Sequence, residues 1–106
     1  MKQKDKVLSM IGLAARAGAV ASGEYSTGKA VKAGKAALVI VAENASLNTK
    51  QMFENMCEYY KTPLALYGTK EDLGRWTGKT YRASICILDE GFAKTVKDKI
   101  DLCMED

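Results

Sequence analysis

The segment Ala36-Ala-Leu-Val-Ile-Val-Ala42 is the longest uninterrupted apolar run in the 106-residue chain, and it decides the fold. Seven residues are far fewer than the roughly 20 that a membrane-spanning helix needs. The run is instead typical of a β-strand buried on both faces, as in a sheet that helices cover on each side. Ser84-Ile-Cys-Ile-Leu88 and Leu64-Ala-Leu-Tyr67 predict two further strands.

Helical apolar spacing occupies the segments between these strands. The second helix is predicted from Ser22, a good N-cap, to about Gly34, and Thr62-Pro63 ends the third. A capping box over 69–72 opens a short fourth helix, and Asp89 caps the last one. The stripes are Val7, Leu8, Ile11, Ala14 and Ala15 in the first helix, Met52, Phe53, Met56, Cys57 and Tyr60 in the third, and Phe92, Val96, Ile100 and Cys103 in the last.

Alternating strands and helices predict an α/β fold, specifically a three-layer α-β-α sandwich. The sheet is expected to be small, mixed and mostly buried, with about four strands if Ala19–Ala21 forms a short one. Residues 1–106 are predicted to form one domain, since the chain has one proline and no linker. Irregular segments are expected at 19–26, 43–48 and 77–82, where functional residues tend to lie.

Residue types that the chain lacks narrow its chemistry. No histidine is present, which excludes histidine-based triads and imidazole zinc sites. The three cysteines form no Cys-x-x-Cys pair, and their odd number favours free thiols in a reducing cytoplasm. The N-terminus lacks a signal-peptide core. We therefore expect a cytoplasmic protein that holds neither metal nor cofactor. It is not expected to be an enzyme, because no residue set resembles an acid–base pair with a nucleophile, and it is expected to be a monomer, because no long exposed apolar stripe remains unassigned.

Positive charge is concentrated toward the start of the chain. Residues 1–35 carry a net charge of +5 and residues 83–106 carry −3, within a total of +3. A focused basic patch favours a polyanion partner. A lysine-rich solvated surface explains the same pattern about equally well, so charge alone does not decide the function.

The segment Gly23-Glu-Tyr-Ser-Thr-Gly28-Lys29-Ala30 allows two interpretations. It approaches the nucleotide-binding P-loop G-x-x-x-x-G-K-[ST], but alanine stands at position 30, where that motif has its magnesium-binding hydroxyl. The alternative is a helix N-terminus, whose free N–H groups bind a phosphate or a base edge. Lys29 and Lys32, spaced i and i+3, would then project from nearby parts of that helix.

A second polar segment, Gly78-Lys79-Thr80-Tyr81-Arg82, combines cations, a hydroxyl and an aromatic ring. Cations suit phosphates, and aromatic or guanidinium planes suit unstacked bases. A solvated turn has the same composition, and this alternative stays open at this point.

The two segments belong to a longer pattern that resembles the kink-turn RNA-binding ribosomal protein family of the L7Ae/L30e type, and most closely its bacterial YlxQ-like branch. The resemblance spans about residues 8–92. The match to the family lies in 23–29, in Val31-Lys-Ala-Gly-Lys-Ala-Ala-Leu-Val-Ile-Val-Ala-Glu43 and in Leu73-Gly74. The match to the branch lies in five short motifs: Leu-Gly-Leu-Ala-x-Arg16-Ala, Ser22-Gly-Glu24, Asn48-Thr49-Lys50, Leu73-Gly-Arg75 and Gly91-Phe-Ala93.

The resemblance implies an α-β-α sandwich that grips a kink-turn, an RNA helix bent sharply at a bulge beside tandem G·A pairs. It implies that Gly23 and Lys29 match the family's Gly-x-Asn-Glu-x-x-Lys pattern and that Lys70 contacts the RNA backbone. It also implies a second contact surface just before the last strand. The RNA-binding residues it predicts are Gly23, Glu24, Tyr25, Ser26, Lys29, Lys32, Lys70, Lys79, Thr80, Tyr81 and Arg82.

The chain departs from the family pattern at two base-reading positions. Tyr25 stands where the pattern has asparagine and Ser26 where it has glutamate, and Glu24 lies one residue earlier. Neither replacement offers the donors and acceptors of the original side chain. We therefore predict a non-catalytic RNA-binding protein, ribosome-associated, whose kink-turn preference is weaker or altered. The alternatives are a protein–protein module using the acidic last helix, 89–106 with Asp98 and Asp101, and the P-loop-like nucleotide binder.

Overall fold

A computed structural model describes the backbone of residues 3–105 and the side chains of residues 6–103. The described chain alternates helices and strands from end to end. In order, the elements are α1 (Gln3–Arg16), β1 (Val20–Ser22), α2 (Glu24–Lys32), β2 (Leu38–Val41), α3 (Leu47–Tyr60), β3 (Leu64–Leu66), α4 (Lys70–Trp76), β4 (Ser84–Ile87) and α5 (Glu90–Glu105).

The four strands form one mixed sheet in the order β1-β4-β2-β3. Strand β4 is antiparallel to both β1 and β2, with Cys86 opposite Ala21 on one side and Val39 on the other. Strand β2 runs parallel to β3. As a result, the carboxyl ends of β1, β2 and β3 and the amino end of β4 lie along the same edge of the sheet.

Helices cover both faces of this sheet, which confirms the predicted three-layer sandwich. Helix α1 packs against α4 and α5, while α2 packs against α3. Every residue of β2 and β4 is buried, as expected for strands that are covered on each side. Phe53, Leu73 and Ile100 are among the buried side chains that helices contribute to the core.

Local sequence signals fix the starts of several helices. The Thr69 hydroxyl accepts the backbone N–H of Asp72, and the Asp72 carboxylate accepts the N–H of Thr69, which completes the predicted capping box. The Asp89 carboxylate accepts the N–H of Phe92 at the start of α5, as predicted. Each cap satisfies a backbone donor that the first turn of a helix leaves free.

Three predicted boundaries are wrong. Ser22 ends β1, and Gly23, with a φ of 94°, is the N-cap of α2 in its place. The segment 19–26 is therefore not an irregular loop but a strand followed by the first turn of a helix. Helix α3 begins at Leu47, inside the predicted loop 43–48, because Ser46 caps it through the N–H of Thr49. Tyr60, which was predicted to belong to the apolar stripe of the third helix, is exposed.

Candidate nucleic-acid interface

Four chain connections meet at the shared edge of the sheet. The N–H of Gly23, after β1, donates to the carbonyl of Ser84 at 2.9 Å, which ties the start of α2 to the start of β4. The N–H of Arg82, before β4, donates to the carbonyl of Lys70 at 2.9 Å. These bonds place the start of α2, the start of α4 and the loop 79–82 side by side.

We call this surface the basic edge. It consists of the sequence-predicted candidates, all of which the structure places on the connections at this edge, at the start of α4 or on helix α2. They are Gly23, Glu24, Tyr25, Ser26, Lys29, Lys32, Lys70, Lys79, Thr80, Tyr81 and Arg82.

The side chain of Arg82 lies beside Gly23, so the basic edge has two neighbouring halves, the start of α2 and the loop 79–82. A Cβ at Gly23 would lie 3.7 Å from Arg82 Nε and 3.8 Å from its Cδ, so the arginine stem covers the glycine. The positive φ of Gly23 is strained for residues with a side chain. Gly23 thus serves both the turn into α2 and the close approach of a cation.

The first turn of α2 presents free backbone donors. Thr27 N–H makes the first helical bond, to the carbonyl of Gly23 at 2.9 Å. The amides of Glu24, Tyr25 and Ser26 have no hydrogen-bond partner among the described residues. Glycine at the N-cap supplies no side chain to accept them, so these donors and the positive end of the helix dipole remain available to an anion.

Exposed rings and cations surround these donors. Tyr25 is 79% exposed and Tyr81 is 57% exposed. Lys70 Nζ lies 6.0 Å from the centroid of the Tyr81 ring, at the outer limit of a cation–π contact. Arg82 Nη1 donates to the carbonyl of Tyr81 at 2.8 Å, which orients its guanidinium along the loop. Lys29 is exposed on α2.

Two residues that the sequence did not single out hold the start of α4 in place. Asn44 Oδ1 accepts the N–H of Lys70 at 2.8 Å, and its Nδ2 donates to Glu71 Oε1 at 3.3 Å. Glu43 Oε2 accepts the N–H of Gly68 at 2.9 Å. Both lie in the connection after β2, and a pair of polar residues just after the buried apolar run 36–42 was the available signal for them.

The loop 79–82 rests directly on α4. The N–H of Lys79 donates to the carbonyl of Gly74 at 2.8 Å. A Cβ at Gly74 would overlap the Cα of Tyr81 and lie 2.6 Å from its backbone nitrogen. Glycine at position 74 therefore lets the loop backbone touch the helix, which fixes where Tyr81 is presented.

An open groove of about 670 Å³ runs beside the basic edge, between α2 and α3. Lys29, Lys32, Tyr25 and one acidic residue, Glu24, line the α2 side, and the thioethers of Met52 and Met56 line the other. Methionine offers an adaptable apolar surface, and the lysines add positive charge. The groove extends the basic surface along the full length of α2.

The structure contradicts the P-loop interpretation of 23–30. Residues 24–32 form helix α2, so no flexible loop exists there to wrap around phosphates. Gly28 is buried within the helix, where its Cβ position lies 3.6 Å from Met56 Cε. The second glycine of the apparent motif thus serves helix packing.

The last helix carries no acidic face in its described part. Between Glu90 and Cys103 it has three acidic residues and three lysines. Lys94 Nζ pairs with Asp98 and Lys97 Nζ pairs with Asp101, each at 2.9 Å. The predicted acidic docking surface is therefore largely neutralised, and Asp106 at its end lies outside the described residues.

Cys57 and Cys86 are buried core residues, whereas Cys103 is partly buried. Burial raises the pKa of the Cys86 thiol to about 11 and also raises that of Cys57. Thiols that stay protonated near neutral pH are poor nucleophiles and poor metal ligands. Within the described part of the chain, no group of three or more histidine, cysteine or acidic side chains is placed to hold a metal ion. The same residues include no helix long and apolar enough to cross a membrane.

Comparison with known proteins gives a consistent result. Residues 5–97 match the profile of the ribosomal protein L7Ae/L30e/S12e/Gadd45 family. The RNA-binding protein YlxQ of Bacillus subtilis (strain 168) is 37% identical over 92 residues, an alignment that covers 87% of this chain and 92% of that protein. The predicted likeness to a YlxQ-like branch is confirmed.

Solved structures share the fold. A protein of unknown function from Bacillus halodurans C superposes with a TM-score of 0.87 at 38% identity, covering 91% of this chain and 97% of the other. The Giardia lamblia 15.5kD RNA binding protein superposes with a TM-score of 0.79, covering 99% and 91% of the two chains. Its identity of 22% makes it evidence for the fold alone.

Proposed function

This chain belongs to the ribosomal protein L7Ae/L30e/S12e/Gadd45 family, and from that premise we propose that it is a non-catalytic protein that binds structured RNA through the basic edge. The name of its relative YlxQ, an RNA-binding protein 37% identical to it, supports the same partner. We further propose that the RNA is a kink-turn or a related bend, that the protein is a ribosome-associated cytoplasmic monomer, and that residues 1–106 act as one domain.

The observation that carries the proposal is the contact between Arg82 and Gly23. It brings a helix N-terminus with free amides next to a loop with a cation and an exposed ring. RNA-binding proteins use such combinations because phosphates need cations and amides, while unstacked bases need flat surfaces. The start of α2 and the loop 79–82 therefore present both kinds of group on one surface.

The residues of the basic edge divide into two roles. Lys29, Lys32, Lys70, Lys79 and Arg82 would bind phosphates, so they would set affinity with little regard to sequence. Tyr25, Ser26 and Tyr81 would contact bases and so determine which RNA is preferred, and Thr80 would add a hydroxyl beside them. The backbone amides of the first turn of α2 would bind either a phosphate or a base edge.

The departures from the family pattern bear on specificity. A phenol at position 25 and a short hydroxyl at position 26 lack the paired donor and acceptor of an amide and the strong acceptor of a carboxylate. The loss of one good base contact costs about 1–3 kcal/mol of discrimination, judged from DNA complexes. We therefore propose a weakened or shifted preference for the kink-turn, between tenfold and a hundredfold below that of the full pattern.

A titration tests this function. A kink-turn RNA and the same duplex without its bulge are titrated into the protein at two salt concentrations. The proposal predicts salt-dependent binding to both, with at most a modest preference for the kink-turn. Failure to bind either RNA would refute RNA binding, and strong selectivity for the kink-turn would refute the proposed shift in specificity.

Matched variants locate the interface. Lys79→Gln removes a cation from the basic edge, whereas Lys35→Gln removes one from a surface shared with Leu88 and Glu90, at the opposite edge of the sheet. Only the first is expected to weaken RNA binding and to reduce the salt dependence of log K by about 1. Equal effects of the two variants would show that the protein binds RNA without a defined face.

A further inference from the structure

Arginines 16 and 75 lie outside the basic edge, although the sequence pattern includes both. They flank Trp76 in a cleft of about 270 Å³ between the carboxyl ends of α1 and α4. The cleft is lined by Ala15, Arg16, Arg75, Trp76, Thr77 and Gly78, and no carboxylate is among them.

A close approach of two helices builds this cleft. A Cβ at Gly12 would lie 3.0 Å from Trp76 Cε3 and 3.5 Å from Arg16 Nη1. The guanidinium nitrogen and the indole carbon are therefore within 6.5 Å of each other, the sum of those distances. Glycine at position 12 lets the indole lie on α1 and leaves the Arg16 side chain beside it.

Neither arginine is needed to cap its helix. The carbonyls of Leu13, Ala14 and Ala15 at the end of α1 accept backbone N–H groups at 2.9–3.0 Å. At the end of α4, the carbonyl of Gly74 accepts the N–H of Lys79 at 2.8 Å, and that of Leu73 accepts the Thr77 hydroxyl at 2.6 Å.

Both guanidiniums also lack a counter-charge. Neither Arg16 nor Arg75 makes an ion pair with any of the described residues, and both are exposed. Two unpaired guanidiniums on one cleft form a site for phosphate, which they bind in a planar, bidentate manner.

Gly78 lines the cleft, and Lys79, the next residue in the chain, belongs to the basic edge. We propose that Arg16 and Arg75, beside Trp76, bind the phosphate backbone of the RNA held on the basic edge, at a segment beyond its bend. This inference rests on the proposed function. It adds that the footprint extends over the ends of α1 and α4 to one flanking stem.

A series of RNAs with different stem lengths tests the inference. The wild-type protein is titrated with a kink-turn that has both stems cut to a few base pairs, and with two versions in which one stem or the other is lengthened. Lengthening one particular stem is expected to tighten binding about tenfold and to steepen the salt dependence of log K by about 2, for two added phosphate contacts. If neither extension tightens binding, the inference is wrong.

Variants assign the gain to the cleft. The double variant Arg16→Gln/Arg75→Gln is expected to bind the short RNA like wild type but to lose the tenfold gain from the longer stem. The control Lys35→Gln/Lys61→Gln removes two exposed cations elsewhere and should keep the gain. A double variant at 16 and 75 that retains the gain would overturn the inference.

Two further readouts separate the possible failures. If the wild type does not bind even the short kink-turn, the proposed function fails and the inference with it, whereas binding of the short RNA without a gain from extension refutes the inference alone.

If the arginine variant does not fold, hydroxyl-radical footprinting of the wild-type complex replaces it. Protection of riboses in the longer stem supports the cleft site, and full cleavage there overturns it.

Discussion

Gly74→Ala tests the packing of the candidate RNA loop on α4. The added Cβ would overlap the Cα of Tyr81 and lie 2.8 Å from the carbonyl carbon of Thr80. These obstacles are backbone atoms, so no rotamer change relieves the clash, and either the loop or the helix must shift. Overpacking costs about 1–3 kcal/mol, and a backbone clash falls at the upper end of that range.

Alanine also brings a gain, because it exceeds glycine in helix propensity by about 1 kcal/mol. The expected net loss is therefore about 2 kcal/mol in the free energy of unfolding. For a domain of this size, that loss corresponds to a fall of about 8–16 °C in melting temperature. Urea unfolding of the two proteins gives the free energies directly, provided that the slope m is unchanged.

Gly28→Ala is the matched control, since Gly28 also lies inside a helix and is also buried. Its Cβ would meet Met56 Cε at 3.6 Å and Met56 Sδ at 3.9 Å, which are ordinary contacts with a flexible side chain. The same substitution is expected to leave stability unchanged or to raise it by up to about 1 kcal/mol. If Gly74→Ala is as stable as wild type, the loop 79–82 does not pack on α4 as closely as described.

Three other changes probe the core and the interface. The buried hydroxyl of Thr27 has no hydrogen-bond partner among the described residues. Replacing it with a methyl group therefore removes no hydrogen bond, so Thr27→Val should unfold at the same or a higher urea concentration than wild type. A loss above about 1 kcal/mol in the free energy of unfolding would show that the hydroxyl has a partner. The Cys86 thiol has a pKa of about 11 in the folded protein and near 8.5 in the unfolded chain. Between these two pH values the folded protein keeps the proton that the unfolded chain releases. The free energy of unfolding should therefore fall as pH rises from about 8.5 toward 11, and Cys86→Ala should show a smaller fall in pH-dependent urea unfolding; an unchanged fall would exclude this thiol as a cause. Tyr25→Asn/Ser26→Glu restores the family pattern and should raise the preference for kink-turn over unbent RNA by tenfold or more in the titration; an unchanged ratio would mean that these positions do not contact bases.

Much of the fold could be predicted because its signals are local. The run 36–42 predicted β2 because a strand buried on both faces has no polar positions, and each of its residues 38–41 is buried. The capping box over 69–72 marked the start of α4, since those side chains bond to their own backbone. Ser46 is equally local but was missed, because α3 begins with exposed residues and its apolar stripe starts five residues later.

The candidate site could be predicted as a set of residues but not as a surface. Gly23 and Arg82 were named from local composition and from the family resemblance. Their proximity depends on the pairing of β1 with β4, which joins segments about 65 residues apart. The close approach of the Tyr81 backbone to Gly74 is likewise a tertiary contact, and nothing in either segment alone specifies it.

The central claim is that the basic edge is the RNA-binding face, and amide mapping by NMR tests it most directly. A ¹⁵N-labelled sample is titrated with kink-turn RNA, and chemical-shift changes are followed residue by residue. The account predicts the largest changes at 23–32, at Lys70 and at 79–82, with little change along β3 or at 94–101. Changes concentrated on α5 or β3, with the basic edge unaffected, would contradict it.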